Sequence, residues 1–340
     1  MAMSVACSKR KPLANHRFTD EIRLKTTPVK NQGRSSLCWV YAMLATIETE
    51  RLMQGDSVNL SPVFLSRRFF EEQSEALFLS KKGGDAFSHR GMATTALRLL
   101  HRYGIQPYDY YQFHQESDVK ALEKDVKRLI SKALKKNMTP EEFRRQLGCL
   151  LDEKWGYVPE FVHLLGAEYT SQEFGRSVCL DGEYEALTSF SHHAYGEPFA
   201  LEVPDNRYGD RFLNVPLDFF MQAIGHALAT GHPVCWEGDI SEPGFSFSDG
   251  IAVLEPEDDG KKADERRRQR EFERSLTTDD HCMTLVGTAR DELGRRYYIA
   301  KNSFGTDNPY GGFMYLSEDY VRLKTLCVVL PKSALPDVPM

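Results

Sequence analysis

Apolar positions recur at three- and four-residue intervals through the front of the chain and switch to alternation in its last third. Leu37, Val40, Tyr41, Leu44 and Ile47 predict a buried helix starting near Ser36, led in by the turn-rich loop Pro28 to Gly33. Ser61 as N-cap and Pro62 at the first helical position open a second helix. Ala93 to Tyr103 reads as a third, stopped by Gly104. Val119, Leu122, Val126, Leu129, Ala133 and Leu134 line one face of a helix whose other face is highly charged, and Thr139-Pro140-Glu141-Glu142 is a capping box opening the next. Leu217, Phe220, Met221, Ile224 and Leu228 mark one more helix, closed by Gly231. Then the period becomes two: Val234 to Trp236, Met283 to Gly287, Arg296 to Ala300, Phe313 to Leu316 and Thr325 to Leu330 read as strands.

This pattern divides the chain into an N-terminal arm (1–27), a helical lobe (28–111), a mostly helical insertion (112–205) and a β-rich lobe with a C-terminal tail (206–340). The fold class is α+β, with a cleft where the lobes meet. The charge-dense run from Asp258 to Arg274 reads as a solvated helix or loop.

Composition narrows the function. The chain has 340 residues, enough for one large domain or two lobes. Its 43 Lys and Arg against 49 Asp and Glu give a net charge of −6, which disfavours nucleic acid as a partner. No apolar run approaches the ~18 residues of a membrane span. The seven cysteines are odd in number, scattered and without a C-x-x-C pair, so neither a disulfide framework nor a zinc ribbon is expected. That usage suits a reducing compartment, and a cytoplasmic location is the expectation. Ser4-Val5-Ala6-Cys7 has a second reading as a lipoprotein cleavage box, which would place the protein at the cell envelope; a plain N-terminal tail is the favoured one.

The candidate chemistry starts at Cys38, in the first turn of the predicted helix. Unpaired N–H groups and the helix dipole favour a thiolate there. Gln32, six residues upstream in a tight loop, offers a side-chain donor beside the Cys38 N–H, and an oxyanion formed by thiolate attack on an acyl carbon needs two such donors. His281 opens an alternating strand and suits the proton-transfer role. Asn302, at the end of the following strand, is placed to orient the imidazole, with Phe304 as a shield from water. The adjacent pair His192-His193 lacks a local nucleophile and reads as loop.

Gln32-Gly33-Arg34-Ser35-Ser36-Leu37-Cys38-Trp39, with Asp280-His281 and Lys301-Asn302-Ser303-Phe304-Gly305 downstream, resembles the papain-like cysteine peptidases. Ser35 in place of the family's usual disulfide cysteine, the short segment ahead of Cys38 and the long insertion resemble the bleomycin hydrolase and aminopeptidase C branch most. The resemblance implies a two-lobed fold with a helical lobe and a β-barrel-like lobe, and hydrolysis of peptide bonds through Cys38, His281, Asn302 and Gln32. It implies an aminopeptidase acting on peptide substrates without metal or organic cofactor, in a branch whose members are often homo-oligomers. It also implies that Gly91 and Met92 line the cleft, Met92 as the floor of the pocket for the second substrate residue, beside Asp280 and Phe304. Phe304 stands where the family usually has Trp. Glu237 and Asp239 are the candidates for receiving a substrate amine. An endopeptidase, an acyl transferase on the same fold and an inactive peptide-binding module are the other readings left open.

Overall fold

A computed structural model describes residues 17–112, 118–164, 166–254 and 263–336. Strand β1 (Phe18–Arg23) is followed by helices α1 (Cys38–Met53), α2 (Pro62–Leu79), α3 (Ala93–Tyr103), α4 (Val119–Lys135) and α5 (Pro140–Trp155). The hairpin β2 (Phe161–Leu164) and β3 (Ala167–Thr170) leads into α6 (Ser171–Val178), then β4 (Tyr184–Thr188), β5 (Pro198–Ala200) and β6 (Arg211–Asn214). The remainder comprises α7 (Leu217–Ala229), β7 (Val234–Gly238), β8 (Phe245–Ser246), β9 (Ile251–Ala252), α8 (Glu265–Glu273), β10 (His281–Asp291), β11 (Arg296–Lys301), β12 (Phe313–Ser317), α9 (Glu318–Lys324) and β13 (Thr325–Pro331).

Local chemistry accounts for the helix ends. The Ser61 hydroxyl accepts from Phe64 N at 3.2 Å with Pro62 next to it, and Thr139 and Glu142 form the reciprocal capping box. Gly104 ends α3 at φ +77°, and a Cβ there would fall 2.0 Å from Ser171 O, so both the turn and the approach of α6 require glycine.

Helix α1 is buried on every side from Cys38 to Glu50, as its lack of a polar stripe implies. It runs between two cores. One is built by α1 to α6 around Trp39, Phe64, Phe69, Phe70 and Trp155. The other lies in the sheet lobe around Trp236, Leu285, Tyr297 and Tyr320, with α7 on it. The main sheet has eleven strands in the order β5-β6-β4-β13-β7-β10-β11-β12-β9-β8, with β1 also on β10. It is mixed, since β4/β6 and β9/β12 are parallel. The α+β architecture is as expected, but the sheet stays open: its end strands β5 and β8 are not paired to each other, so there is no closed barrel.

The 112–205 stretch holds α4, α5 and α6, and also the strands β2 to β5, of which β4 and β5 belong to the main sheet. These strands are three to five residues long, too short for alternation to reveal them. The acidic-basic run is not simply solvated either. Part of it lies outside the described residues, but in α8 Arg268 is buried, donates Nε–H to Ser189 O at 2.8 Å and lies over the Phe190 ring. Glu271 of the same helix accepts from the Lys324 ammonium at 2.7 Å. Cys7 lies outside the described residues. Among those described, no helix is long and apolar enough to cross a membrane.

Candidate active site

Two threonines fix α1 against β10. Thr284 Oγ1 donates to Ala42 O at 2.8 Å, and Thr46 Oγ1 meets Thr284 Oγ1 at 3.2 Å. This brings the first residue of α1, Cys38, to the first residue of β10, His281. Leu37 precedes α1 without a side-chain cap, and the first turn carries no acidic residue, so no competing anion occupies the helix terminus. The Cys38 thiol is held well below its ordinary pKa. The Cys282 thiol hydrogen-bonds to it, burial opposes the shift, and the His281 hydrogen bond and charge add to it.

Behind His281, Nε2–H donates to Asn302 Oδ1 at 2.8 Å. The Asn302 oxygen also accepts from Ser303 N at 2.7 Å, and its Nδ2 faces Met314 Sδ at 3.3 Å, which fixes the amide orientation. The imidazole therefore carries its proton on Nε2 and leaves Nδ1 for the sulfur. Ser303 continues the chain of contacts. Its hydroxyl donates to Gln32 Oε1 at 2.6 Å, and its carbonyl accepts from Gln32 N at 2.8 Å. Gln32 Nε2 donates one N–H to Ser35 O at 2.7 Å, which leaves the second for a ligand. Phe304 lies 4.5 Å from the His281 ring, with Phe247 edge-on to it at 5.4 Å.

The loop bearing Gln32 is anchored by a buried carboxylate. Glu48 accepts from Thr27 Oγ1 at 2.5 Å, from Leu60 N at 2.6 Å and from the Lys30 ammonium. Lys301, just ahead of Asn302, donates to Thr27 Oγ1 at 2.7 Å. Burial brings the Lys301 ammonium down to a pKa of about 8.

Among solved structures, PepW from Lactobacillus rhamnosis HN001 superposes with a TM-score of 0.71 at 18% identity, over 94% of this chain and 83% of that one. The fold is papain-like. Xylellain, a cysteine protease from Xylella fastidiosa, matches at 0.46 with 14% identity over 93% of this chain and 87% of its own. Procathepsin L 3 of Tenebrio molitor matches at 0.45 with 15% identity over 95% and 71%. These two scores add nothing to the assignment. No family model and no curated protein matches the sequence.

Within this papain-like fold the remaining expected residues fall differently. Gly91 is buried, with Trp39 Cε2 3.0 Å from where a Cβ would stand. Met92 is fully buried in an apolar cluster with Phe190, Phe199, Phe212 and Leu326. Asp239 is also fully buried and both its oxygens are occupied, one by Ser241 N and Oγ at 2.7 Å, the other by Thr278 N at 2.8 Å. It buttresses the turn before His281 and has no acceptor left for a substrate amine. Glu237 is buried beside the nucleophile, where burial pushes its carboxyl up to about 7. Asp280 is half-buried, its carboxyl raised by burial and by the neighbouring Asp239 charge.

Sequence reasoning missed Cys282, Ser303 and Asp279. Each is adjacent or next but one to a residue it singled out, but a thiol, a hydroxyl and a carboxylate give no signal in the sequence of the direction they point. One grouping has the composition of a metal site: His192, His193 and Glu202 bring ligand atoms within 4.8 Å of one another. Gln269 argues against occupation. Its Oε1 accepts from Ser191 N at 2.7 Å, so its Nε2 donates to His192 Nδ1 at 3.0 Å. The His192 proton then sits on Nε2, towards Glu202, where a metal would have to be.

Proposed function

We propose that this chain is a thiol peptidase, acting on peptides as an aminopeptidase. The observation that supports the chemistry is the continuous set Cys38, His281, Asn302, Ser303 and Gln32 at the mouth of α1. The Cys38 thiol first passes its proton to His281 Nδ1, and the resulting thiolate attacks the scissile carbonyl carbon to form a C–S bond. The carbonyl oxygen becomes an oxyanion that takes the Cys38 N–H and the free N–H of Gln32. As the C–N bond breaks, His281 gives its Nδ1 proton to the departing amine. Water then adds to the thioester with His281 as base, the C–S bond breaks, and the carboxylic acid leaves with the thiolate restored.

The deciding experiment combines an epoxide of the E-64 type with dipeptidyl-coumarin substrates. One adduct on Cys38, and turnover abolished by Cys38→Ala, is the expected result. No adduct on a folded sample would reduce the protein to a binding module. Free and blocked N-termini separate the modes: equal turnover of blocked substrates would make it an endopeptidase.

A further inference from the structure

The strand register places Glu237 of β7 opposite Cys282 of β10. Its Oε2 accepts from Ala93 N, the first residue of α3, at 3.2 Å and from the Cys327 thiol at 3.6 Å. Its Oε1 is buried and has no partner. Asp279, two residues ahead of His281, is 8% exposed, and its Oδ2 is likewise buried without a partner. The two carboxyl groups lie within hydrogen-bonding reach of one another, and these oxygens have no donor from the other described residues. Burial, then for Asp279 the Glu237 charge, raises both carboxyls above the ordinary carboxylate range. A buried acceptor left without a donor costs about 1–3 kcal/mol, so the arrangement is incomplete as it stands.

Asp279 is also a wall of an open cleft of about 520 Å³ that runs along the segment leading into His281. Its other sides are Arg90 ahead of α3, the 202–204 segment after β5 and the end of α8. Four carboxylates line it, those of Glu202, Glu273, Asp279 and Asp280. The one cationic side chain there, Arg90, is already paired: its Nε donates to Asp205 Oδ2 at 2.7 Å and its Nη2 to Asp279 O. The cleft is thus net acidic, is lined also by Ser275, Thr277 and Thr278, and reaches Asp280, the residue before the proposed base His281.

We propose that this cleft receives a primary ammonium of the peptide substrate close to the scissile bond, with Asp279 as the receiving carboxylate and Glu237 completing its charge from behind. The proposal rests on the thiol-peptidase reading. An –NH3+ group brings three donors and one positive charge to a place that holds orphaned acceptors and excess negative charge. Any proton held on the carboxyl pair leaves to solvent as the ammonium docks. Two sources offer that chemistry: a free N-terminus and a lysine side chain.

The test uses four matched dipeptidyl-coumarins, with lysine or norleucine at the N-terminal position, each with a free or an acetylated amine. The expected result is that kcat/KM for at least one ammonium-bearing substrate exceeds that of the acetyl-norleucyl compound tenfold or more. The free-amine arm assigns the cleft to the N-terminus and the acetyl-lysyl arm to the side chain. Asp279→Asn should bring the ratio below about threefold. If the variant does not fold, the wild-type ratio alone decides. Equal turnover of all four, with Cys38 still labelled and required, overturns the cleft and leaves the peptidase. No turnover and no adduct overturns both.

Discussion

His281 Nε2 and Asn302 Oδ1 stand 2.8 Å apart, and the same oxygen is held by Ser303 N at 2.7 Å. Asn302 thus sets both the tautomer and the tilt of the ring. A hydrogen bond to an imidazolium is worth about 1.5–3 kcal/mol, or roughly ten- to a hundredfold in rate. Asn302→Ala should lower kcat by that factor with KM nearly unchanged, because the amide touches the base and not the substrate. A rise in KM at constant kcat, read from full saturation curves, would contradict this role.

Cys282 supplies the second test of the nucleophile. Its thiol is the leading cause of the depressed Cys38 pKa, ahead of His281. A depressed thiol pKa means that thiolate persists as pH falls, so iodoacetamide should alkylate Cys38 at about pH 6, where an ordinary thiol of pKa ~8.5 barely reacts. Cys282→Ala removes the donor and destabilises the anion. The alkylation profile should move up by about one to two pH units. An unshifted profile would assign the thiolate to His281 and the helix end alone.

Much of this was legible in the sequence because it depends on local pattern. The start of α1, the Ser61 and Thr139 caps and the central strands follow from period and capping chemistry, and the set Gln32, Cys38, His281 and Asn302 in that order is what the resemblance to papain-like peptidases implies. What was hidden depends on direction and depth. Glu237 near the end of β7 and Asp239 just past it look alike as acidic residues in the sequence, yet one keeps an oxygen unpartnered and the other has both occupied. Met92, expected at the cleft, is buried with Phe190, Phe199 and Phe212, the last two on strands too short to read.

Glu48 shows how the site depends on a residue that touches none of its chemistry. Its carboxylate is fully buried and receives Thr27, Lys30 and Leu60, so it ties the loop leading to Gln32 onto α1. Glu48→Gln keeps the shape but leaves Lys30 without its counter-charge, and breaking a buried pair costs about 3–5 kcal/mol. Thermal unfolding should begin lower, with Tm down by roughly 5 °C or more. Activity should fall at temperatures where the variant is still folded, since Gln32 loses its anchor. A Tm within a degree of wild type would show the network to be dispensable.

The buried carboxyl of Glu237 gives the stability curve a definite slope. Its pKa is raised from an ordinary 4.5 to about 7, chiefly by burial. The folded state therefore prefers the protonated form. The resulting stabilisation is whole below the unfolded value near 4.5 and is lost as pH climbs through 7. Asp279, raised in the same direction, continues the decline above that point. Glu237→Gln has no proton to lose. Its stability relative to wild type should therefore rise between pH 4.5 and 7, by about 3 kcal/mol in all. Urea unfolding at half-unit pH steps reads this directly. Parallel curves for the two proteins would mean that Glu237 ionises as freely in the folded chain as in the unfolded one, and that the acidic cleft carries one more negative charge at neutral pH than its burial allows.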